Sequence, residues 1–460
     1  MQQTAYSKKL TQDLQPRAPH PRSRPPFECI ALLLQGGGAL GAYQAGVYQA
    51  LAESHLNPDW VAGISIGAIN AAVIAGNTPE ARIEKLRQFW ELVTAAPLWP
   101  NSRPLVAART NPVGPFVDQA IAMAASFGSV GLSLVSGKPL DGHAEELRAV
   151  WQDIATVSGW TRLFDPTFFA AGGDFARGFA NQMNAGVALT RGAPGFFVPR
   201  LPIPWLQPAG TLEATSYYDT TALKPTLERL VDFDRINARE MRLSLGTVNV
   251  ETGNFVYFDN TTHKIGPEHV MASGALPPGF PAVEIDGEHY WDGGLVSNTP
   301  LNWVLEREPR QDTLAFQIDL WSAPGDFPHT MAEVPTRQKE IQYSSRTRAN
   351  SDRFKYLQKL RSALSSLLEK MPEDLKNSPE CEILKPAATQ KVYNLVQLVY
   401  RSQRYEGESK DYEFSRPSME DHWRAGYHDT VRTLRHPEVL ERPKSIDGVF
   451  IFDLAYDGRE

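Results

Sequence analysis

Cys29-Ile30-Ala31-Leu32-Leu33-Leu34 runs directly into Gln35-Gly36-Gly37-Gly38-Ala39-Leu40-Gly41. Six apolar residues in a row suit a strand buried on both faces, and the glycines end it. From Ala39 to Ser54, Leu40, Tyr43, Val47 and Leu51 then recur at helical spacing. Trp60-Val61-Ala62 predicts a second short strand, and Ala68 to Ala75 a helix of small residues. Strand, loop, helix, strand, turn, helix is a βαβ order, which implies a parallel sheet. The expected fold class is therefore α/β.

Further along, residues 97–210 break this rhythm with prolines, glycines and aromatics, and predict an insertion over the core. Regularity returns with a helix at Thr221 to Leu230 and a strand at Met241 to Val250. Phe255 to Phe258 should pair back after Thr252-Gly253, and Tyr290-Trp291 should end a strand at Asp292.

The 460 residues are 42% apolar and 22% charged, enough for a sizeable core and too apolar for disorder. A net charge of −7 excludes wholesale attraction to nucleic acid, so no nucleic-acid partner is expected. Cys29 and Cys381 are distant in sequence and read as reduced thiols of a cytoplasmic protein. Residues 1–27 are polar and rich in Pro and Arg, without a signal-peptide core, and predict a disordered leader. Two uncharged windows approach the roughly 20 residues that cross a bilayer, Trp60–Pro79 and Gln119–Gly137. The first reads as buried strand plus helix, and the second is diluted by serines and glycines. No internal repeat is visible.

Three motifs carry chemistry. A loop of glycines between a strand and a helix turns backbone N–H groups into a concavity, a cradle for a phosphate or a developing oxyanion. Its GxGxxG spelling also fits a dinucleotide fingerprint, but that site wants an acid at the end of the second strand. Here the second strand ends instead in Gly63-Ile64-Ser65-Ile66-Gly67. GxSxG after a strand and before a helix is a nucleophile elbow, which lifts the serine hydroxyl clear of the sheet. The third motif, Asp292-Gly293-Gly294, is an ordinary turn by itself. Beside Ser65, a partly desolvated Asp292 would accept the hydroxyl proton. A triad would need a downstream histidine, and His329, His422, His428 and His436 lack catalytic context. His422 and His428 read as surface residues of a charged helix.

Taken in order, Gly36 to Gly41, Gly63 to Gly67 and Asp292 to Gly294 resemble the patatin-like phospholipase family. Ala272-Ser273-Gly274-Ala275-Leu276-Pro277 and Asn298-Thr299-Pro300 extend the resemblance across about residues 28–320. It implies a three-layer α/β/α domain with a mainly parallel central sheet, spanning 28–330. It further implies hydrolysis of lipid acyl esters by a dyad without histidine, with no cofactor or metal. By carry-over Ser65 is the nucleophile and Asp292 the base; Gly36, Gly37 and Gly38 form the oxyanion hole, and Gly63 and Gly67 flank the elbow. Many members carry Lys or Arg where this chain has Leu40, which shifts weight toward neutral or simple acyl esters. Short hydroxyacyl esters, polyesters or thioesters would use the same site, and a non-catalytic lipid-binding scaffold would keep the fold without the reaction.

Charge density rises past residue 330, with 22 basic and 21 acidic side chains in the last 130 residues against 24 and 32 before them. This predicts a boundary and a charged, α-rich extension over 331–460. Within it Lys410-Asp411-Tyr412-Glu413-Phe414-Ser415-Arg416-Pro417 resembles the C-terminal extension found in a bacterial subset of the family. Within 337–370, nine basic residues accompany Leu357, Leu360, Leu364 and Leu367 at helical spacing. Two readings stand for that helix: peripheral contact with an anionic membrane at its inner face, or packing on the catalytic domain. Val392 to Tyr400 predicts a strand, and Ser418 with Asp421 a capping box that opens a helix through Leu434. Oligomeric state is not legible.

Overall fold

The computed structural model describes residues 24–95, 173–331, 333–344, 347–403, 405–444 and 447–454. The chain forms two compact units, residues 97–180 and the remainder. Of the insertion expected at 97–210, residues 97–172 lie outside the described residues, as do the leader and the window at 119–137.

The larger unit is built on a nine-stranded sheet. In chain order its strands are β1 (Cys29–Leu34), β2 (Trp60–Ile64), β3 (Arg242–Asn249), β4 (Phe255–Asp259), β5 (Val283–Ile285), β6 (Glu288–Asp292), β7 (Thr313–Asp319), β8 (Tyr393–Val399) and β9 (Val449–Phe452). Six run parallel in the order β9-β8-β7-β1-β2-β3. The far edge is antiparallel, with β4 and β6 both pairing β3 and β5 pairing β6. A parallel strand deep in a sheet must bury both faces, and β1 does so by alternation. Ile30, Leu32 and Leu34 enter the larger core, whereas Cys29, Ala31 and Leu33 enter a second core on the opposite face.

Helices α1 (Ala42–Glu53), α2 (Ile66–Ala75) and α3 (Arg82–Val93) contribute to the larger core. The helix read from Ala39 divides into a 3₁₀ turn at Gly38–Gly41 and α1 proper. The window Trp60–Pro79 is β2 plus α2, almost wholly buried in protein. No helix among the described residues is long and apolar enough to cross a membrane. Phe196 and Phe197, read as part of the insertion, are buried in a ring cluster with Tyr218, Phe280 and Phe414. The main core therefore resumes well before Thr221.

Charge density past residue 330 marks a change of surface, not an end of the sheet. Strand β8 pairs with β7 over seven residues, and β9 extends the sheet beyond it. Helices α4 (Pro267–Ser273), α5 (Glu333–Tyr343), α6 (Thr347–Lys370) and α7 (Arg416–Thr433) complete the elements that matter below. Helix α7 lies against α1, where each helix presents a glycine to the other. A β-carbon on Gly46 would stand 1.9 Å from the Trp423 carbonyl oxygen, and one on Gly426 2.0 Å from that of Tyr43. Ser415, not Ser418, caps α7: its side chain accepts from the Ser418 N–H. Pro417 favours this start, since proline is tolerated only in the first turn of a helix. On α6 the inward side chains are Phe354, stacked edge-on against Tyr393, and Gln358, which donates to the Lys391 carbonyl. Leu360 and Leu367 are exposed. The stripe that packs is thus offset from the leucine stripe read in the sequence.

Candidate active site

Strand register brings the three motifs together. In the parallel pairing Leu34 lies beside Gly63 and Ile64 beside Gly246, while antiparallel β6 sets Asp292 beside Thr247. Ser65, one residue past Ile64, therefore comes level with Thr247 and Asp292, and the glycine loop that follows β1 emerges on its other side. A β-carbon on Gly36 would approach the Ser65 β-carbon to 3.0 Å.

Ser65 has a φ of 57° and a ψ of −126°, between the end of β2 and the start of α2. A positive φ is uncommon for a residue with a side chain and is sustained only where its surroundings impose it. Here the Ser65 N–H donates to both the carbonyl and the hydroxyl of Ser273, each at 3.1 Å, and that hydroxyl donates to the Gly246 carbonyl at 2.7 Å. The flanking glycines meet backbone: a β-carbon on Gly63 would lie 2.2 Å from the Gly67 oxygen, and one on Gly67 2.3 Å from the Leu34 oxygen. From Trp60 to Gly76 every residue is buried except Ser65.

Gly36 is held by its N–H to the Asn298 carbonyl and by its own carbonyl, which accepts from Asn298 Nδ2 and Trp321 Nε1, both at 3.0 Å. The N–H groups of Gly37, Gly38 and Ile66 have no protein acceptor among the described residues. Two of them lie on the glycine loop and the third directly follows Ser65, the donor pattern that receives an oxyanion in serine acyl hydrolases. Leu40 is fully buried in the core, so no charge stands at that position of the loop.

Asp292 is 1% exposed. Burial pushes its carboxyl up to about 7, against the hydrogen-bonding pull of the Ser65 hydroxyl and the Gly294 N–H. The Gly294 contact is 2.7 Å long. A carboxyl near neutrality is a far better proton acceptor than one at the usual carboxylate pKa. Four histidines were the alternatives. His329 is exposed and His436 faces Glu438. His422 is buried, contrary to its reading as a surface residue, with Nε2 at 2.6 Å from Glu406. None of the four is among the groups acting on Asp292. Among the described residues, no group of three or more His, Cys, Asp or Glu side chains is placed to hold a metal ion.

Residues beyond 330 also wall the site. Gln35 Nε2 and Asn298 Nδ2 both donate to the Tyr343 carbonyl, at 3.2 and 2.9 Å. Burial, then the Asp411 and Asp292 charges, raise the Tyr343 phenol. Lys410 is buried, ion-paired with Glu340 at 2.7 Å, and lies over the Trp321 ring. Lys339 is tied to Asp411 at 3.0 Å. Sequence reasoning missed Ile66 and Tyr343, and reached Lys410 and Asp411 only as part of a segment that resembles the family's C-terminal extension, without a role at the site. The rule that the residue after a nucleophile donates to the oxyanion would have found Ile66; no sequence signal pointed to Tyr343.

A family model described as patatin-like phospholipase matches residues 32–304, well over half of the chain. The chain belongs to the patatin-like phospholipase family. It is accordingly a lipid acyl hydrolase. A second model, described as patatin phospholipase, matches residues 341–445, the stretch that supplies β8 and α7 to the same body. No curated protein matches this patatin-like chain. Among solved structures, VipD from Legionella pneumophila is similar at 16% identity and a TM-score of 0.35, covering 95% of this chain and 74% of that one. A chain of the complex of full-length SpcU with full-length ExoU, from the type III secretion system of Pseudomonas aeruginosa, is similar at 18% identity and a TM-score of 0.24, covering 75% and 58%.

Proposed function

We propose that Ser65 and Asp292 are the catalytic dyad of this lipid acyl hydrolase, with Gly37, Gly38 and Ile66 donating to the oxyanion. One observation carries the reading: the single half-buried residue of a buried strand-turn-helix is a serine, and it faces a buried carboxyl held near neutrality.

In the first half-reaction Ser65 Oγ bonds to the ester carbonyl carbon while its proton passes to Asp292. The carbonyl oxygen takes negative charge and is met by the N–H groups of the glycine loop. Collapse breaks the carbon–oxygen bond of the leaving alcohol, which takes the proton from Asp292 and departs. Water then repeats the sequence on the acyl-enzyme, giving its proton to Asp292, and Ser65 recovers that proton as the fatty acid leaves.

The same surroundings favour an uncharged ester. Leu40 adds no cation to the loop, and the Lys410 charge is answered by Glu340. Acylglycerols or simple acyl esters should thus be hydrolysed faster than phospholipids of equal chain length. Hydrolysis of p-nitrophenyl esters of increasing length tests the proposal, with Ser65→Ala and fluorophosphonate labelling alongside. Labelling at Ser65 and loss of turnover in Ser65→Ala are expected; turnover surviving that substitution would discard the dyad.

A further inference from the structure

The loop Leu201-Pro202-Ile203-Pro204-Trp205-Leu206-Gln207-Pro208-Ala209-Gly210-Thr211-Leu212 contains no charged residue. Its large apolar side chains point outward: Leu201 is 87% exposed, Trp205 77% and Leu206 73%. Single exposed leucines are common, but adjoining exposed Leu, Ile and Trp on one uncharged loop form a patch of the kind that marks an interaction surface.

The loop is braced. Its base is closed by the Arg200 N–H on the Tyr217 carbonyl at 3.0 Å and by Arg200 Nε on the Ser216 hydroxyl at 3.0 Å. Gln207 Nε2 caps the Pro202 carbonyl at 2.9 Å, and the Trp205 ring stands edge-on to Tyr217. The prolines at 202, 204 and 208 carry no N–H. Of the remaining backbone donors, those of Leu206, Gln207 and Thr211 are spent on carbonyls within the loop, which lowers the cost of setting it against a non-polar medium.

Its base is also tied to the site. The Tyr217 and Tyr218 N–H groups donate to the carbonyls of Pro278 and Gly279. The same short segment accepts the Ser65 N–H at Ser273 and the Asp292 N–H at Ala275. One stretch of backbone, 273–279, therefore joins both members of the dyad to the root of the apolar loop. Leu295 and Val296, just after the Asp292 turn, are exposed as well.

We propose that the loop Leu201–Leu212 is the element by which this enzyme seats on a lipid–water interface, its apolar side chains entering the surface beside the dyad. The proposal rests on the lipid acyl hydrolase reading, since a substrate dissolved as monomers would need no such seat. Tryptophan favours the headgroup boundary, where one side of its ring is apolar and the other is wet. The uncharged tip fits neutral lipid, and attachment through it should resist salt. This differs from attachment through Arg353, Lys355 and Lys359 on α6, which are exposed and would bind only anionic surfaces, in a salt-sensitive way.

Flotation with phosphatidylcholine vesicles tests it, performed on Ser65→Ala protein so that binding is read apart from catalysis. Adding Leu201→Ser, Trp205→Ser and Leu206→Ser should cut vesicle partitioning at least tenfold, equally in low and high salt. In the active enzyme the same triple change should slow hydrolysis of vesicle-borne substrate by a similar factor and leave a dissolved short-chain p-nitrophenyl ester unaffected. Partitioning that survives the triple change, or is lost only on reversing Arg353, Lys355 and Lys359 to Glu, would overturn the proposal. So would a dimer that the triple change converts to monomer, which would make a second copy the occupant. A protein that binds vesicles through the loop but hydrolyses no ester would instead defeat the catalytic reading.

Discussion

The carbonyl oxygen of Asp411 stands 2.0 Å from the point where a β-carbon on Gly38 would lie. Two residues 373 positions apart in the chain thus share a contact that only glycine permits. Gly38 has a φ of +55°, and its N–H is one of the unpartnered donors of the loop.

Gly38→Ala should therefore push Asp411 and the loop apart and lower kcat at least about 100-fold, the scale of a lost oxyanion donor. Gly253→Ala is the control: its φ is +69° but open space surrounds it, so it should cost stability alone. Equal kcat losses in the two variants would show that the contact with Asp411 does not matter.

The Asp292 carboxyl, as the proposed base, should set the pH dependence. As a base it must be ionised, so kcat/KM should rise through about 7 and level off above it. Asn at this position should reduce kcat at least about 100-fold. For stability the sign is opposite. Its folded pKa of about 7 lies above the ordinary value of 3.8, so between them the folded chain holds a proton that the unfolded chain has released. This carboxyl's contribution is full below the lower value and is lost as pH rises to the upper one. Asp292→Asn should match wild type near the lower value and exceed it in alkaline solution by on the order of 4 kcal/mol. Urea melts at both ends would read this, and an Asn variant with no alkaline advantage would mean that the carboxyl is not buried as a charge.

Histidine separates the dyad from a triad. Gln at His329, His428 or His436 should leave kcat within a few-fold, and loss of turnover in any one of these folded variants would reassign Asp292 to an orienting role.

His422 should matter for folding. Burial works against its charge, but Glu406 outweighs burial and raises it; burial likewise works to raise Glu406, and the His422 charge outweighs it. The imidazolium's share is complete below 6.5 and fades as pH rises through its elevated folded value; the carboxylate's is complete above 4.5 and fades in acid. His422→Gln should cost about 3–5 kcal/mol in urea at mildly acidic pH and less in alkali. A pH-independent loss would point to packing alone.

Ending the chain at residue 330 should leave no soluble hydrolase. The cut removes β8 and β9, exposes the β7 edge, and takes away Phe354, Tyr393 and Leu395 from one core and Val396 and Leu398 from the other. Soluble, active 24–330 protein would show that the C-terminal stretch is a separate module.

The strand-turn-helix at 60–75 was readable from its residues because the causes are local. Apolar runs choose strands, and a serine between glycines, taken alone a packing turn as readily as an elbow, points to a tight elbow because it directly follows a strand and opens a helix. The α/β class, the elbow and the glycine loop follow from contiguous stretches of this kind. Pairing Ser65 with Asp292 was legible only as a resemblance, since a separation of 227 positions hides a register that β3 supplies.

Composition misled where burial overrides it. High charge past residue 330 predicted a separate extension, yet Tyr393, Leu395 and Val396 are inside and the charges lie largely outside. A surface helix was expected to hold His422, but α7 packs so closely on α1, through Gly46 and Gly426, that the imidazole is enclosed with Glu406. No local pattern encodes such a contact, because its cause is the shape of the partner surface. Sequence alone determined the local features of the proposed site: a serine on an elbow, a loop of glycines, a carboxylate at a turn. Tertiary structure alone decided that this carboxylate loses its water and rises to about 7, because desolvation depends on everything packed around it and not on its neighbours in the chain.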